Sequence, residues 1–464
     1  MQPADDVDGL EEARQPLVPR EEPPPRPAPP AATLLPACSG NCSLAGGVAN
    51  LVTTAVGAGM VALPRAVSET GIVVGMALFA FTAVLTFVST SIIVRYSAQW
   101  RVQSYSDLVR MHFGKLGATV LQLAIVVHVF GVMIGYNVII ADVLVGSSPN
   151  FNGMLPTIAG RHDNPWFLSR GFVLAALLLA VVGPMLVPRN LASVARFSRF
   201  SVCMVLLLAA SILGLATAAL FEGRLAPDVR LLPDPDSMGG GSPLGILTSL
   251  LTVVSVSCLA FTCHFNLLPI KNSLRDPSCC SMLRVVKLGL LVCALIYSMV
   301  AISGYALFGS ETDGDVLNNL TGRFVSTLVP PAAAHALVYG IAVAFSGNLL
   351  VNFVLKVWAV RDNLSELALG APALQLDRVA FYSVTLLLVV LSFCLALLVP
   401  SIYALLALVG STACVTFAYV FPSLLVLKCH KGRAARVGAT CMLLLGAQMA
   451  AVAIYNRLHH GQGI

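Results

Sequence analysis

Residues 49–66 read ANLVTTAVGAGMVALPRA, an apolar stretch interrupted by small residues and a proline. Gly57 and Gly59 flank Ala58 at its centre, and Pro64 follows. Glycine and proline weaken a helix. A bilayer tolerates a broken helix only where the freed backbone groups line a cavity or meet protein partners, and secondary transporters place their sites at such breaks. The stretch therefore predicts a broken first span at a binding site, with close helix packing through small residues as the alternative.

A second interrupted helix is predicted five spans later, at residues 255–277, which read SVSCLAFTCHFNLLPIKNSLRDP. This apolar segment turns polar in its middle and then meets Pro269. The first and sixth spans hold corresponding positions in two halves of five spans each, the layout expected of inverted repeats. The sequence therefore predicts an all-α polytopic membrane protein with eleven transmembrane helices: a 5+5 inverted repeat with broken first and sixth helices, plus one extra helix.

The composition requires the bilayer as the solvent for most of the chain. Of 464 residues, 57% are hydrophobic and only 11% are charged, which is more apolar than a soluble domain needs. Runs of roughly 20 apolar residues, the length of a spanning helix, recur along the chain. The predicted spans are 46–68, 71–96, 118–145, 167–187, 200–221, 244–268, 288–307, 333–357, 379–399, 402–427 and 437–455. They form one transmembrane domain over residues 45–464.

Residues 1–44 differ from the rest in composition. Residues 21–30 read EEPPPRPAPP, too rich in proline for a helix and too polar to bury. We therefore predict a disordered cytosolic tail that is available to a cytosolic partner. The tail lacks the features of a signal peptide, so the first span is expected to act as the insertion signal.

Charges in the loops predict the orientation. The basic loops are 95–115, 189–199, 271–287 and 428–436, and the acidic loops are 222–242 and 309–329. The positive-inside rule places the basic loops and the N-terminus in the cytosol, and the C-terminus outside or in a lumen. Asn319 opens the sequon Asn-Leu-Thr in an outer loop, which predicts a glycosylation site. The net charge of +6 is explained by the basic residues of the cytosolic loops, and no nucleic acid partner is expected.

Opposed dipoles at the predicted break suit a zwitterion. Amides freed from Val56 to Gly59 favour a carboxylate, whereas freed carbonyls favour an ammonium group or a cation. In the eighth span, Ser346, Asn348 and Asn352 supply neutral oxygens of the kind that suit sodium. Hydrogen bonding between helices is the alternative for these three residues.

Four isolated ionizable residues within the spans have open roles, and two of them, His128 and His335, are either functional or simply paired locally. His264, in the sixth span, is either a site of proton coupling or a hydrogen-bonded structural histidine. Asp142, which ends the third span, either pairs with a basic residue at an outer gate or is a solvated helix terminus. No paired acids, metal-ligand cluster or nucleophile with its base stands out in the spans, so neither an enzyme nor a cofactor other than a sodium ion is expected.

Several motifs of the first and sixth spans form a recognisable set. They are Asn50, Gly57, Ala58, Gly59, Leu63 and Pro64 in the first span, and residues 260–264, AFTCH, with 268–270, LPI, in the sixth. This set resembles the amino acid/auxin permease family, particularly its sodium-coupled neutral amino acid transporters and its vacuolar amino acid transporters. The resemblance implies a LeuT-like fold with broken first and sixth helices, alternating access, amino acid substrates, and sodium or protons as the coupling ion.

The ion site implied by the resemblance departs from the family at one position. Thr53 stands four residues before Gly57, where sodium-coupled members have an asparagine. A threonine hydroxyl can also coordinate sodium. The candidate ion-binding residues are Asn50, Thr53, Ser346 and Asn348.

These observations predict a secondary active transporter of small neutral amino acids that works by symport with sodium or protons. The candidate substrate-binding residues are Val56, Gly57, Ala58, Gly59, Ser257, Cys258 and Phe261. The expected location is the plasma membrane or a lysosome or vacuole. A competing hypothesis is an amino acid sensor that signals through the cytosolic tail.

Overall fold

A computed structural model describes residues 42–146, 153–161, 165–189, 198–234, 238–370, 373–399 and 401–459. Helices follow one another along nearly all of these ranges. The predicted disorder of the tail, over residues 1–41, and the predicted outer position of the last residues, 460–464, lie outside the described residues.

The helices alternate with short connections. In chain order they begin with α1 (Leu44–Ala55), α2 (Ala58–Gln99), α3 (Tyr105–Leu144), α4 (Met154–Ala159), α5 (Arg170–Leu186), α6 (Ser198–Phe221), α7 (Pro243–Ala260) and α8 (Leu267–Ser273). They continue with α9 (Cys279–Phe308), α10 (Val316–Asn319), α11 (Gly322–Val325), α12 (Pro331–Leu369), α13 (Arg378–Ala396), α14 (Ile402–Cys429) and α15 (Arg433–His459). Helices α5 and α14 contain π-helical turns.

Nine segments of the described chain are long and apolar enough to cross a membrane. Two further apolar helices, α1 and α5, are shorter. The prediction of a polytopic all-helical membrane protein is therefore confirmed, whereas the count of eleven spans and the repeat layout stay predictions. The counts differ by two because the predicted first span is divided between α1 and α2, and because the predicted fourth span, 167–187, corresponds to the shorter helix α5.

Helix α2 is too long for a single crossing. At about 1.5 Å per residue its 42 residues extend about 63 Å, twice the roughly 30 Å of a hydrocarbon core. Gly71 interrupts it with φ 72° and ψ 165°, which is not helical. This interruption lies at the first residue of the predicted second span.

Five helices position the site described below. Helix α2 packs against α9 and α7, and α3 packs against α12. Leu63, Met133 and Phe353 are fully buried at the centre of this core. In a bilayer the lipid tails are as apolar as these side chains, so close packing and polar contacts between helices stabilise the assembly.

The first residues of the described chain are attached to the end of α8. The Cys42 amide donates to the Ser273 carbonyl at 3.0 Å, and the Arg275 amide donates to the Cys42 carbonyl at 2.9 Å. Ser43 caps α1 by accepting a hydrogen bond from the Gly46 amide at 3.2 Å. Backbone contacts therefore join the start of α1 to the end of α8, on the side predicted to be cytosolic.

Candidate functional site

The first break separates α1 from α2 by two residues. Val56 is extended, and its amide still donates to the Val52 carbonyl at 2.8 Å. Gly57 is not helical, and α2 begins at Ala58. A helix leaves its first four amides and last four carbonyls without partners inside the helix. The carbonyl end of α1 and the amide end of α2 therefore meet at this point, as the glycine pattern predicts.

The second break lies between α7 and α8. Helix α7 ends at Ala260, and a 3-10 turn over His264–Asn266 leads into α8. The Tyr297 hydroxyl of α9 donates to the Ala260 carbonyl at 2.7 Å, and the Thr262 hydroxyl donates to the Cys258 carbonyl at 2.5 Å. These bonds satisfy carbonyls that the end of the helix leaves free.

The two breaks touch each other. A Cβ atom added to Gly59 would lie 2.9 Å from the Cα atom of Ala260, so only a glycine allows this approach of α2 to α7. The Asn266 side-chain amide donates to the Thr54 hydroxyl at 2.8 Å. Residues from both broken helices thus form one continuous region of contact.

A narrow cavity of ≈ 20 Å³ lies where the breaks meet helices α3 and α12. It is lined by Thr54, Ala55, Gly57, Ala58, Gly59, His128, Val132, Tyr136, Leu259, Thr262 and Lys356. A cavity of this volume holds about one water molecule. The two breaks are therefore closed around the cavity, and a solute can enter only when the helices move apart.

Tyr136 of α3 lies directly against the first break. A Cβ atom added to Gly57 would overlap the Tyr136 hydroxyl and would lie 3.1 Å from Cζ of the ring. Tyr136 is 1% exposed. The phenol thus closes the cavity over the backbone of the break and leaves no room for a side chain there.

Lys356 brings a charged group to the cavity from α12. Its side chain is 6% exposed, and its Nζ donates to the Thr54 carbonyl at 3.3 Å. The same ammonium lies 4.9 Å from the ring centroid of Phe265. Charged residues inside a membrane protein are costly and are functional candidates for that reason.

The predicted substrate residues fall in two groups. Gly57, Ala58 and Gly59 line the cavity, while Val56 is buried next to them and is not among the lining residues. The sixth span contributes Leu259 and Thr262 instead of the predicted trio. In that trio, the Ser257 hydroxyl donates to the Val253 carbonyl at 2.7 Å, Cys258 is fully buried, and the Phe261 ring packs on Tyr297 at 5.0 Å.

Three of the four predicted ion residues, Asn50, Thr53 and Asn348, are engaged in contacts of their own. The Thr53 hydroxyl donates to the Ala49 carbonyl at 2.9 Å, and the Asn50 amide lies 4.0 Å from the Cys42 sulfur. The Asn348 side-chain oxygen accepts hydrogen bonds from Ser201 at 2.5 Å and from Asn352 at 2.9 Å. Ser346 is buried, and its hydroxyl has no partner among the described residues. Since Ser346 and Asn348 are two positions apart on a helix, they do not face each other.

His264 does not line the cavity and instead makes a polar contact with Ser89. Its Nε2 is 2.6 Å from the Ser89 hydroxyl, and its ring is 6.0 Å from that of Tyr419. His128 of α3 is the histidine that lines the cavity, with its ring 5.1 Å from Phe417. Both histidines are buried.

Polar contacts on the predicted outer side include two of the sequence candidates. Asp142 forms an ion pair with Arg170 at 2.9 Å, so its predicted pairing with a basic residue is confirmed. Asn319 donates to the Glu311 carbonyl at 2.9 Å through the nitrogen that glycosylation would modify. Its glycosylation stays a prediction.

Nothing among the described residues forms a metal site of the usual ligands. No group of three or more His, Cys, Asp or Glu side chains able to hold a metal ion occurs in the part of the chain that the structure describes. Any cation at the breaks would therefore depend on carbonyl, hydroxyl and amide oxygens.

Comparisons with known proteins agree with this geometry. The family model described as transmembrane amino acid transporter protein matches residues 40–456. The chain is 31% identical over 439 residues to Amino acid transporter AVT6A of Arabidopsis thaliana, with 92% of each chain covered. It is 24% identical over 402 residues to Sodium-coupled neutral amino acid transporter 7 of Rattus norvegicus, with 84% of this chain and 80% of the relative covered.

Two solved structures share the fold. The manganese transporter of Eremococcus coleocola, in complex with an aromatic bis-isothiourea substituted compound, superposes with a TM-score of 0.56 at 12% identity and covers 94% of this chain and 90% of its own. MhsT in complex with L-phenylalanine superposes with a TM-score of 0.54 at 13% identity and covers 87% of this chain and 98% of its own. At these identities the likeness establishes the fold alone.

Proposed function

The chain belongs to the transmembrane amino acid transporter family, the amino acid/auxin permeases, and on that premise we propose that it is a secondary active transporter of small neutral amino acids. It works by alternating access and is coupled to a gradient of sodium ions or protons. It is an integral membrane protein of many spans and catalyses no reaction. The observation that carries the proposal is the cavity between the two broken helices.

The amide end of α2 provides the carboxylate site. Ala58 and Gly59 are among the first residues of α2, line the cavity, and belong to the turn whose amides lack partners within the helix. An anion is stabilised there by hydrogen bonds and by the positive end of the helix dipole. The α-carboxylate of an amino acid is the group that fits this end of the cavity.

The carbonyl end of α1 provides the opposite polarity. Ala55 ends this helix and lines the same cavity, where the helix dipole is negative, while the neighbouring Thr54 carbonyl is taken by Lys356. The hydroxyls of Thr54 and Thr262 add neutral hydrogen-bonding groups. A zwitterion uses the polarity of both helix ends at once, whereas a sugar or an apolar solute would use these opposed dipoles less fully.

The charge of the cavity lining restricts the side chain of the substrate. The cavity is small, and its lining contains Lys356 but no acidic residue. An amino acid with a cationic side chain would place two positive groups close together in a site of low dielectric, which is unfavourable. The charge of Lys356 therefore disfavours cationic amino acids, and we propose small neutral amino acids as the substrates.

Contacts at the two ends of the broken helices are candidates for gates. On the predicted outer side, Arg65 pairs with Glu69 at 3.3 Å and donates to the Thr312 carbonyl at 3.1 Å, and the Tyr403 hydroxyl donates to Glu69 at 3.2 Å. On the predicted cytosolic side, the backbone bonds between Cys42 and the end of α8 hold the broken helices together. Alternating access requires that one set opens while the other stays closed.

Uptake of labelled amino acids into proteoliposomes that contain the purified protein tests the proposal. Saturable, concentrative uptake of small neutral amino acids under an imposed cation gradient is the expected result. Binding of the same amino acids without uptake would contradict it.

A further inference from the structure

Lys356 carries a positive charge into the centre of the protein. It lies on α12, is 6% exposed, and lines the cavity between the broken helices. No carboxylate forms an ion pair with it among the described residues. A buried charge without a charged partner needs another source of stabilisation.

That stabilisation comes from the end of a helix and from an aromatic ring. The ammonium donates to the Thr54 carbonyl at 3.3 Å, and Thr54 belongs to the last turn of α1. Cations are favoured at a helix C-terminus, where carbonyls are free and the dipole is negative. The Phe265 ring, 4.9 Å away, adds a cation–π contact. The side chain therefore holds its charge at the point where the break exposes carbonyl oxygen.

The oxygens of α12 that suit a sodium ion are not available beside the Thr54 carbonyl: the Ser346 hydroxyl does not line the cavity, and the Asn348 oxygen is engaged. Asn348, Asn352 and Lys356 follow one another at intervals of four and so lie along one face of the helix. The Asn348 oxygen already accepts from Ser201 at 2.5 Å and from Asn352 at 2.9 Å. An oxygen that accepts two such bonds has little capacity left for a metal ion.

We propose that the Lys356 ammonium is the resident cation of this site and occupies, beside the Thr54 carbonyl, the place that a coupling sodium ion would take. A free sodium ion next to the ammonium would be repelled by it. Transport therefore proceeds without sodium. This inference rests on the proposed function and removes sodium from its two candidate coupling ions.

Two measurements on the wild-type protein test the absence of a sodium requirement. Uptake into proteoliposomes is compared in sodium chloride and in N-methyl-D-glucamine chloride at equal ionic strength. The rates are expected to agree within twofold, and a tenfold or greater stimulation by sodium would overturn the inference while leaving the proposed function intact. The Tm of the purified protein should also be the same in the two salts, and a rise specific to sodium would overturn the inference even if no uptake were detected.

Substitution of the lysine tests whether its charge is responsible. Lys356→Met keeps the length of the side chain and removes the charge, and uptake in sodium-free medium should fall at least tenfold. Lys287→Met, at an exposed lysine of α9, is the matched control and should stay within twofold of wild type. Wild-type uptake by Lys356→Met in sodium-free medium would overturn the inference.

A second variant covers the case in which Lys356→Met does not fold. Lys356→Arg retains the positive charge, so the uptake and the Tm of this variant should not differ between sodium and N-methyl-D-glucamine. Uptake by Lys356→Arg that requires sodium would contradict the assignment of the resident cation.

Discussion

The Asn266 side-chain amide donates a 2.8 Å hydrogen bond to the Thr54 hydroxyl, which joins the start of α8 to the end of α1 beside the cavity. The Thr54 hydroxyl in turn donates to the Asn50 carbonyl at 2.8 Å, and the Thr54 carbonyl accepts a hydrogen bond from the Lys356 ammonium. A single threonine thus connects the two broken helices and α12. The relative positions of these three elements depend on its contacts.

Asn266→Ala should loosen this connection. The substitution removes one hydrogen bond, worth about 1 kcal/mol of unfolding free energy, and frees the Thr54 hydroxyl from α8. Uptake should fall about fivefold or more, because the two breaks are no longer held together. Asn363→Ala is the control, since the Asn363 side chain bonds to the Ala359 carbonyl of its own helix and, among the described residues, to no other helix. Equal uptake by the two variants would show that the hydrogen bond from Asn266 to Thr54 is not needed for transport.

Gly57→Ala should abolish uptake. The added methyl group would overlap the Tyr136 hydroxyl, which lies in a packed core. Gly214→Ala is the matched control, because a Cβ atom there has no heavy atom within 4 Å, and it should transport normally. Labelled uptake, normalised to protein in the liposomes, gives both results.

Removal of the Tyr136 hydroxyl should partly rescue the Gly57 variant. The double variant Gly57→Ala, Tyr136→Phe loses the atom that overlaps most with the new methyl group, while the ring at 3.1 Å still crowds it. Partial recovery of uptake is the expected result. No recovery, or full activity of Gly57→Ala alone, would show that the cavity is not closed by this contact.

Asp315 should make stability fall as pH rises above about 4. The carboxyl is fully buried at the start of α10, and burial raises its pKa well above the usual range. The folded state therefore retains a proton that the unfolded state releases near its own pKa of about 3.9. The stabilisation is complete below that unfolded pKa and is lost as pH rises through the folded pKa. Asp315→Asn should remove this dependence, as measured by Tm against pH.

Asp228 makes stability depend on pH in the opposite direction, so it provides the control for that measurement. Hydrogen bonds with Ser310, one of them from its amide at 2.7 Å, lower the pKa of the Asp228 carboxyl. Its stabilisation is present above the unfolded pKa and is lost as pH falls through the folded one. Asp228→Asn should change only the acid side of the profile. A change in the Tm of Asp228→Asn near neutral pH would contradict the assignment of Asp228. An unchanged pH dependence of Tm in Asp315→Asn would contradict the assignment of Asp315.

The breaks in the helices could be predicted from the sequence because their cause is local. Gly57 and Gly59 within an apolar run lower helix stability wherever the run is placed. The same holds for the polar residues that interrupt the sixth span before Pro269. Composition likewise predicts a membrane protein, because a chain this apolar has no other solvent.

The lining of the cavity could not be predicted because it depends on packing between distant helices. Sequence spacing favoured Ser257 and Phe261, yet the end of α7 turns Leu259 and Thr262 toward the cavity. Tyr136 reaches the first break only because α3 packs beside it. These contacts are set by the rotation of each helix about its axis, which hydropathy alone does not give.

Lys356 has a signal in the sequence that the predicted ion site does not include. It is a charged residue in the apolar run of the eighth span, four positions after Asn352, and ionizable residues at such depth are functional candidates. The ion-site prediction concentrated instead on Ser346 and Asn348. The Asn348 oxygen is engaged by Ser201 of α6, a contact between helices that no local pattern reveals.

Substrate selection in proteoliposomes tests the central claim most directly. Labelled alanine, serine and glycine are compared with labelled lysine and arginine, using the wild-type protein and the Gly57→Ala variant, under an imposed proton or sodium gradient. Saturable, concentrative uptake of the small neutral amino acids, absent for the cationic ones and lost in Gly57→Ala, is the predicted result. Failure of the wild-type protein to accumulate any amino acid, or equal accumulation by Gly57→Ala, would contradict a transport site at the two broken helices.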